Sequence, residues 1–260
     1  NAGDATLART KELPGGGKVE NIRVAKPVFV LEPSGAYRAS ADMSIGGGTV
    51  GSVKLGTARA KVTIDNRQAA LKDISAEIMD GKLDGNATIA LDDRAKSNIS
   101  AAFSGLDLGK ILALQGGRVV PVEGETSGTV DFSFNGTNFR TATGDIKADI
   151  SANAGMQDRG MIPVTGRVEA TAANGLFDIV VGRLKTDNSE FNATGALDLN
   201  GNSSNLAMNL LSSDAREIDR LVRVMNIVPE YESMADEYKA AFAGAVEFKG
   251  AMTGDLDDPT

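Results

Sequence analysis

Apolar and polar residues alternate one by one through most of this chain, and each run closes on Gly, Asn or Asp. Side chains two residues apart share a face only in an extended strand, so this period selects half-buried strands over helices. Ala60, Val62 and Ile64 point one way while Lys61, Thr63 and Asp65 point the other. The pattern returns with Ala87, Ile89 and Leu91, with Ile99, Ala101 and Phe103, with Val130, Phe132 and Phe134, and with Ile146, Ala148 and Ile150. It continues through Phe191, Ala193, Leu197 and Leu199, through Leu206, Met208 and Leu210, and through Val246 and Phe248. Strands with one apolar and one polar face belong to antiparallel sheets. Asp80-Gly81, Asn135-Gly136 and Asn174-Gly175 stand between runs at hairpin spacing, so a long meander is expected.

Helical periodicity is confined to three places. Asp107 to Leu114 makes two turns behind an Asp cap. From Asp214 to Val228 the spacing of Asp214 and Glu217 matches a capping box, and Ile218, Leu221, Val222 and Met225 form one stripe before Pro229. A further helix is expected from about Glu230 to Phe242, with Tyr231, Met234, Tyr238, Ala241 and Phe242 on one side. Both stripes read as packing surfaces that cap a sheet.

The chain also repeats itself at a period near 107 residues. Ser97-Asn98-Ile99 recurs as Ser204-Asn205-Leu206, and Asp107 and Asp214 each open a helix. In the same register Phe103 answers to Leu210, Ile111 to Ile218 and Leu114 to Leu221. Strands restart at Gly128-Thr129-Val130 and at Gly244-Ala245-Val246. The expected units are 1–114, 115–243 and the start of a third at 244–260, each a run of strands closed by helix.

Composition removes whole classes of chemistry. The chain has no Cys, His or Trp, which excludes disulfides, thiolate and imidazole metal ligands and His-based triads. A net charge of -8, with Lys and Arg scattered singly, speaks against a nucleic-acid partner. No Gly-Lys pair is followed by Ser or Thr, and Gly15-Gly16-Gly17-Lys18 and Gly46-Gly47-Gly48 lie between strands and not at the strand-to-helix junction of a phosphate loop. Asp92-Asp93 and Asp257-Asp258 sit where solvated turn acids are ordinary, and the Asn-x-Ser/Thr triplets at Asn86, Asn98, Asn135, Asn192 and Asn202 read as unmodified. Neither Gly-x-Ser-x-Gly nor Ser-x-x-Lys occurs. The expectation is a protein that is not an enzyme, without metal or cofactor. With no apolar run long enough to cross a membrane, any membrane anchor is expected outside this segment, which reads as an interior excerpt.

Leu71 through Asp80-Gly81-Lys82-Leu83-Asp84-Gly85 to Leu91, followed by Ile99 to Phe103 and Leu106-Asp107-Leu108, resembles the repeat of the AsmA and TamB superfamily. Gly250 to Pro259 resembles the Gly-x-Leu-x-x-Pro punctuation of TamB-like chains, and the likeness runs from about Gly35 onward. It implies an elongated, all-β, antiparallel repeating β-groove with short helices between units and an apolar interior. It further implies an envelope protein of the periplasm, anchored in the inner membrane, that conducts phospholipid between membranes or assists outer-membrane protein assembly. Phospholipid acyl chains and an outer-membrane barrel of the Omp85 class are the implied partners; no catalytic residue is implied. On that reading the groove is lined by Val62, Ile64, Ile89, Leu91, Ile99, Phe103, Val130, Phe132, Phe134, Ile146, Ile150, Val168, Phe191, Leu197, Leu199, Leu206, Met208, Leu210, Val246 and Phe248. Alternation by itself favours an ordinary closed sandwich or solenoid core, and it is the resemblance that puts the groove first; an extracellular β-solenoid or sandwich adhesin or stalk module is the alternative.

Overall fold

The computed structural model describes residues 5–13, 17–50, 53–116, 121–152, 160–198, 203–225, 237 and 242–254. The first half holds β1 (Ala5–Leu13), β2 (Gly17–Leu31), β3 (Tyr37–Ile45), β4 (Gly47–Val50), β5 (Val53–Asp65), β6 (Gln68–Ile78), β7 (Gly81–Ala90) and β8 (Lys96–Asp107). Then come α1 (Leu108–Gly116), β9 (Val122–Glu123), β10 (Glu125–Asn135), β11 (Asn138–Ser151), β12 (Ile162–Pro163), β13 (Thr165–Ala173), β14 (Leu176–Lys185), β15 (Ser189–Asp198), β16 (Ser204–Ser212), α2 (Ala215–Met225) and β17 (Val246–Gly254). The strands form a 15-stranded antiparallel sheet in near-sequential order, β4 lying off the main path and pairing with β2 and β5; β9 and β12 make a separate two-stranded parallel ribbon. The expected all-β antiparallel meander with short helices is present. Two compact units are distinguished, one of Asn1–Leu106, Ser127–Ile146 and Ala172–Gly175, the other of Asp107–Thr126, Lys147–Thr171 and Leu176–Thr260.

In the first unit, register is set by bulges that the alternation conceals. Ala25 and Val28 of β2 face Asp42 and Ser40 of β3, and Leu71 and Ile74 of β6 face Ala87 and Gly85 of β7, so each pair spans one residue too many. The extra residues include Lys26 and Asp73, both at positive φ (50° and 52°), a backbone region that side chains with a Cβ seldom adopt. Each is held by a charge on the next strand: Lys26 Nζ lies 3.2 Å from Asp42, and Lys61 Nζ 2.7 Å from Asp73. The Asp73 N–H also donates to Asn86 Oδ1 on β7 at 3.1 Å. Because Asp42 and Lys61 are register partners, Lys26, Asp42, Lys61 and Asp73 form a row of alternating sign across β2, β3, β5 and β6. The hydrogen bond from Lys61 holds the Asp73 carboxyl below the usual carboxylate range. These groups are solvated, so the row acts on register more than on total stability.

The remaining turns follow local chemistry. Asp65 Oδ1 accepts the N–H groups of Arg67 and Gln68 at 2.8 and 3.0 Å, which closes the β5–β6 hairpin and lowers the Asp65 pKa. Ser97, fully buried at the start of β8, accepts the Ala90 N–H at 2.8 Å and donates to the Gly136 carbonyl. Its repeat counterpart Ser204, also buried, accepts the Asp198 N–H at 3.1 Å.

In the second unit the helices begin where expected: Asp107 Oδ1 accepts the Lys110 N–H at 2.9 Å, and Asp214 Oδ1 the Arg216 N–H at 3.1 Å. The capping-box expectation needs correction, since the Asp214 N–H donates to Ser212 Oγ at 3.1 Å and not to Glu217. Glu217, 9% exposed, reaches off its own helix. Its carboxylate accepts from Thr186 Oγ1, Ser189 Oγ and, at 3.1 Å, Asn188 Nδ2, tying α2 to the β14–β15 turn. A carboxylate survives burial there because it has charge-assisted donors on both oxygens. Of the helix expected over 230–242, Glu237 is helical and Phe242 lies in irregular backbone; 226–236 and 238–241 fall outside the described residues.

Two outcomes follow for stability, both read by urea unfolding. Asp73→Asn, whose short polar side chain tolerates positive φ, keeps a midpoint close to the parent, whereas β-branched Asp73→Val lowers it. Glu217→Ala costs about 1–3 kcal/mol by orphaning buried donors, and its effect is less than additive with Thr186→Val because both act on one network.

Candidate functional site

The candidate site is the apolar sheet face, and within the first unit cross-strand register assembles it residue by residue. Directly opposed residues lie on the same face. Val62 stands between Ala41 and Leu71, Ile64 between Ala39 and Ala69. Ile89 faces Ala69, Ile99 faces Ala87, and Phe103 faces Leu83. The bulges keep this face continuous by switching parity: Val24 and Phe29 of β2, five residues apart, meet Met43 and Ala39 of β3. All of Val62, Ile64, Ile89, Ile99 and Phe103 are half-buried, not fully buried. At one end lies a depression of about 550 Å³ between Val24, Phe29, Ala41, Met43, Val62 and Ile64, in which Ser40 is the one polar side chain. Phe29 is 66% exposed and stacks on Tyr37 at 6.2 Å.

Further along the first unit, Val130, Phe132 and Ile146 are half-buried and Phe134 is buried. Phe139 sets its ring edge-on to Phe132 and Phe134 at 5.4 and 5.5 Å. Gly144 has φ 152°, and a Cβ there would strike the Asp131 carbonyl, so the close approach of β11 to β10 requires glycine. Leu91 lies just beyond β7 and is 53% exposed. The strand ends because Asp92 Oδ1 takes the Arg94 N–H at 2.8 Å, starting a turn, while the Leu91 N–H goes to the Arg67 carbonyl.

In the second unit part of the same kind of face is covered. Ile150 is buried with Leu108, Val122, Ile162 and Val164, and Val168, Leu184, Leu112 and Leu221 pack against them. The cover is α1, α2 and the β9–β12 ribbon, held by the Leu108 N–H on the Gly124 carbonyl and the Ile162 N–H on the Pro121 carbonyl, at 2.9 and 2.8 Å. Beyond it Phe191 faces Leu210, Leu197 faces Phe177, and Met208 faces Ala193, all half-buried apart from buried Leu206. Val246 is half-buried opposite Ser212, Phe248 is 48% exposed opposite Leu210, and Leu199 lies outside the described residues.

Sequence reasoning missed Val24, Phe29 and Leu71, because a bulge breaks the two-residue period at Lys26 and at Asp73, and it missed Met43 although β3 alternates without a break. It also missed the covering ribbon. Its signal was present in two similar tripeptides, Val120-Pro121-Val122 and Ile162-Pro163-Val164, that follow no strand or helix period.

The fold defines the class: an all-β protein built on one large antiparallel sheet with two short helices, presenting an apolar face. No family model, no curated protein and no solved structure matches the chain. Among the described residues no group of three or more Asp or Glu is placed to hold a metal ion, and no helix is long and apolar enough to cross a membrane.

Covered and uncovered stretches differ in what truncation costs. Ile150→Ala loses about 2–5 kcal/mol in urea unfolding by opening a cavity. Ile64→Ala, on the half-open stretch, loses less than half as much, because solvent already reaches the site.

Proposed function

We propose that this chain is part of a periplasmic envelope protein whose apolar sheet face forms a groove that carries phospholipid acyl chains between membranes. One observation carries the reading. From β2 to β8 the face formed by Val24, Met43, Val62, Leu71, Ile89 and Phe103 contains no charged side chain, yet its members stay half-exposed. Six strands at roughly 4.8 Å spacing make an apolar strip of about 24 Å across. Each methylene drawn through water costs roughly 0.8 kcal/mol, so an exposed 16-carbon chain costs on the order of 13 kcal/mol. A strip of Ala, Val, Ile and Leu removes most of that barrier, and because its walls are small and shallow it holds the chain weakly enough to release it. Inner-membrane anchoring through another segment and an Omp85-class partner belong to this reading through the resemblance to AsmA and TamB proteins.

Assistance to outer-membrane protein assembly is the second reading, favoured by β2. Val28, Phe29, Val30 and Leu31 are all 49% exposed or more. Large apolar side chains clustered in the open on one strand mark an interaction surface.

Photo-crosslinking side chains distinguish the readings in cells. At Ile64 and Phe132 they capture phospholipid, while at Thr63 and Asp131, on the opposite face, they do not. Equal capture on both faces removes the lipid reading, and protein adducts in place of lipid at Phe29 favour the second.

A further inference from the structure

A hollow in the first unit lies on the polar side of the sheet, not on the apolar side. It measures about 910 Å³, and Arg23, Ser44, Arg59 and Ser75 line it. These residues stand in one row: Arg23 of β2 faces Ser44 of β3, Ser44 faces Arg59 of β5, and Arg59 faces Ser75 of β6. Ser44 follows Met43, so the row points away from the apolar face.

The neighbouring row supplies the comparison. Two residues along β3 and β5, and three along bulged β2, Asp42 occupies the position between Lys26 and Lys61, and the acid balances the cations on either side. In the hollow the same position between two cations is Ser44. The two arginines are roughly 10 Å apart at their Cβ atoms, close enough for both guanidinium groups to close on one ligand. Among the described residues neither guanidinium has a hydrogen bond or ion pair. Glu77, Lys82 and Asp84 also line the hollow: Glu77 faces Lys82 in register and accepts the Thr57 N–H at 3.2 Å, and Asp84 stands opposite Ser75.

We infer that this hollow binds a phosphoryl anion, which takes the place of the carboxylate missing at Ser44. Guanidinium forks pair bidentately with phosphate oxygens, and the hydroxyls of Ser44, Thr57 and Ser75 are there to donate to the oxygens left over. The ligand carries one or two phosphoryl groups. A long polyanion is disfavoured by the net charge of -8. Such a group is presented by a free phosphate compound or by a lipid headgroup, and the site is independent of the acyl-chain reading because it occupies the other face.

Inorganic pyrophosphate is titrated calorimetrically into the protein at low ionic strength, and flotation with phosphatidylcholine vesicles, with and without phosphatidic acid, is run in parallel. Arg59→Gln and Ser44→Asp are compared with Arg183→Gln, an equal loss of charge in the other unit. Ser44→Asp removes neither arginine and supplies the internal acid, so it weakens pyrophosphate binding at least tenfold while the protein stays folded; Arg59→Gln does the same and Arg183→Gln leaves binding within twofold. Flotation that depends on phosphatidic acid and fails with Ser44→Asp identifies a headgroup as the source; pyrophosphate binding without flotation identifies a soluble one. Absence of binding to either, or binding undiminished in Ser44→Asp, overturns the assignment.

Discussion

Backbone pairing register decides everything else in this molecule. In a sheet with a period of two, a slip of one residue sends a whole strand's apolar side chains to the solvent side. Small residues such as Ala39, Ala41 and Ala69 fit almost equally well in several registers, so packing alone specifies the pairing weakly. The polar side compensates. Lys26, Asp42, Lys61 and Asp73 alternate in sign across the observed register, and Asp73 places its N–H on Asn86 of the next strand. The contribution of exposed ion pairs to stability is small, but a slip of one residue would set Asp42 opposite Ala60 or Val62 and separate these partners. The apolar face is therefore continuous because of what happens on its reverse.

Whether such a face becomes core or surface depends on what is laid over it. Where α1, α2 and the β9–β12 ribbon cover it, Ile150 and its neighbours reach ordinary burial. Where the described residues place only strands, as from β2 to β8, equally apolar residues remain half-exposed. Strands that need both faces covered read as continuous apolar runs, and these do not. A one-sided strand is stable with its apolar side partly wet provided that the side chains are small, which is why Ala and Val dominate here and Trp is absent.

Much of the fold was legible because the two-residue period is a local property. The strands around Val62, Ile99 and Leu206 and the helix starts at Asp107 and Asp214 each needed only a few adjacent residues to be read. What escaped was non-local. A bulge at Asp73 shows in sequence only as Leu71 and Ile74 at the wrong spacing, and its cause lies on other strands, at Lys61 and Asn86. Glu217 had the spacing of a capping box, yet its carboxylate found a better set of donors in a turn that precedes it by about thirty residues. Of the candidate site, the face itself was legible from alternation. Which stretches are covered was not, since the covering elements are short and carry no period of their own.

The internal repeat sharpens that last distinction. Positions 107 residues apart share the same local devices: Ser97 and Ser204 close hairpins, and Asp107 and Asp214 start helices. Three residues past each cap, however, Lys110 is exposed while Glu217 is buried, and the two helices then play different parts. α1 follows its strand directly and places Leu108 and Leu112 in the covered core; α2 is pinned through Glu217 to the β14–β15 turn and brings Leu221 to that same core. Local chemistry thus repeats with the sequence, but burial does not. Two equivalent strand-to-helix junctions converge on one patch, and the position three past each cap holds an exposed Lys110 in one helix and, in the other, a buried Glu217 whose carboxylate ties the helix to a turn.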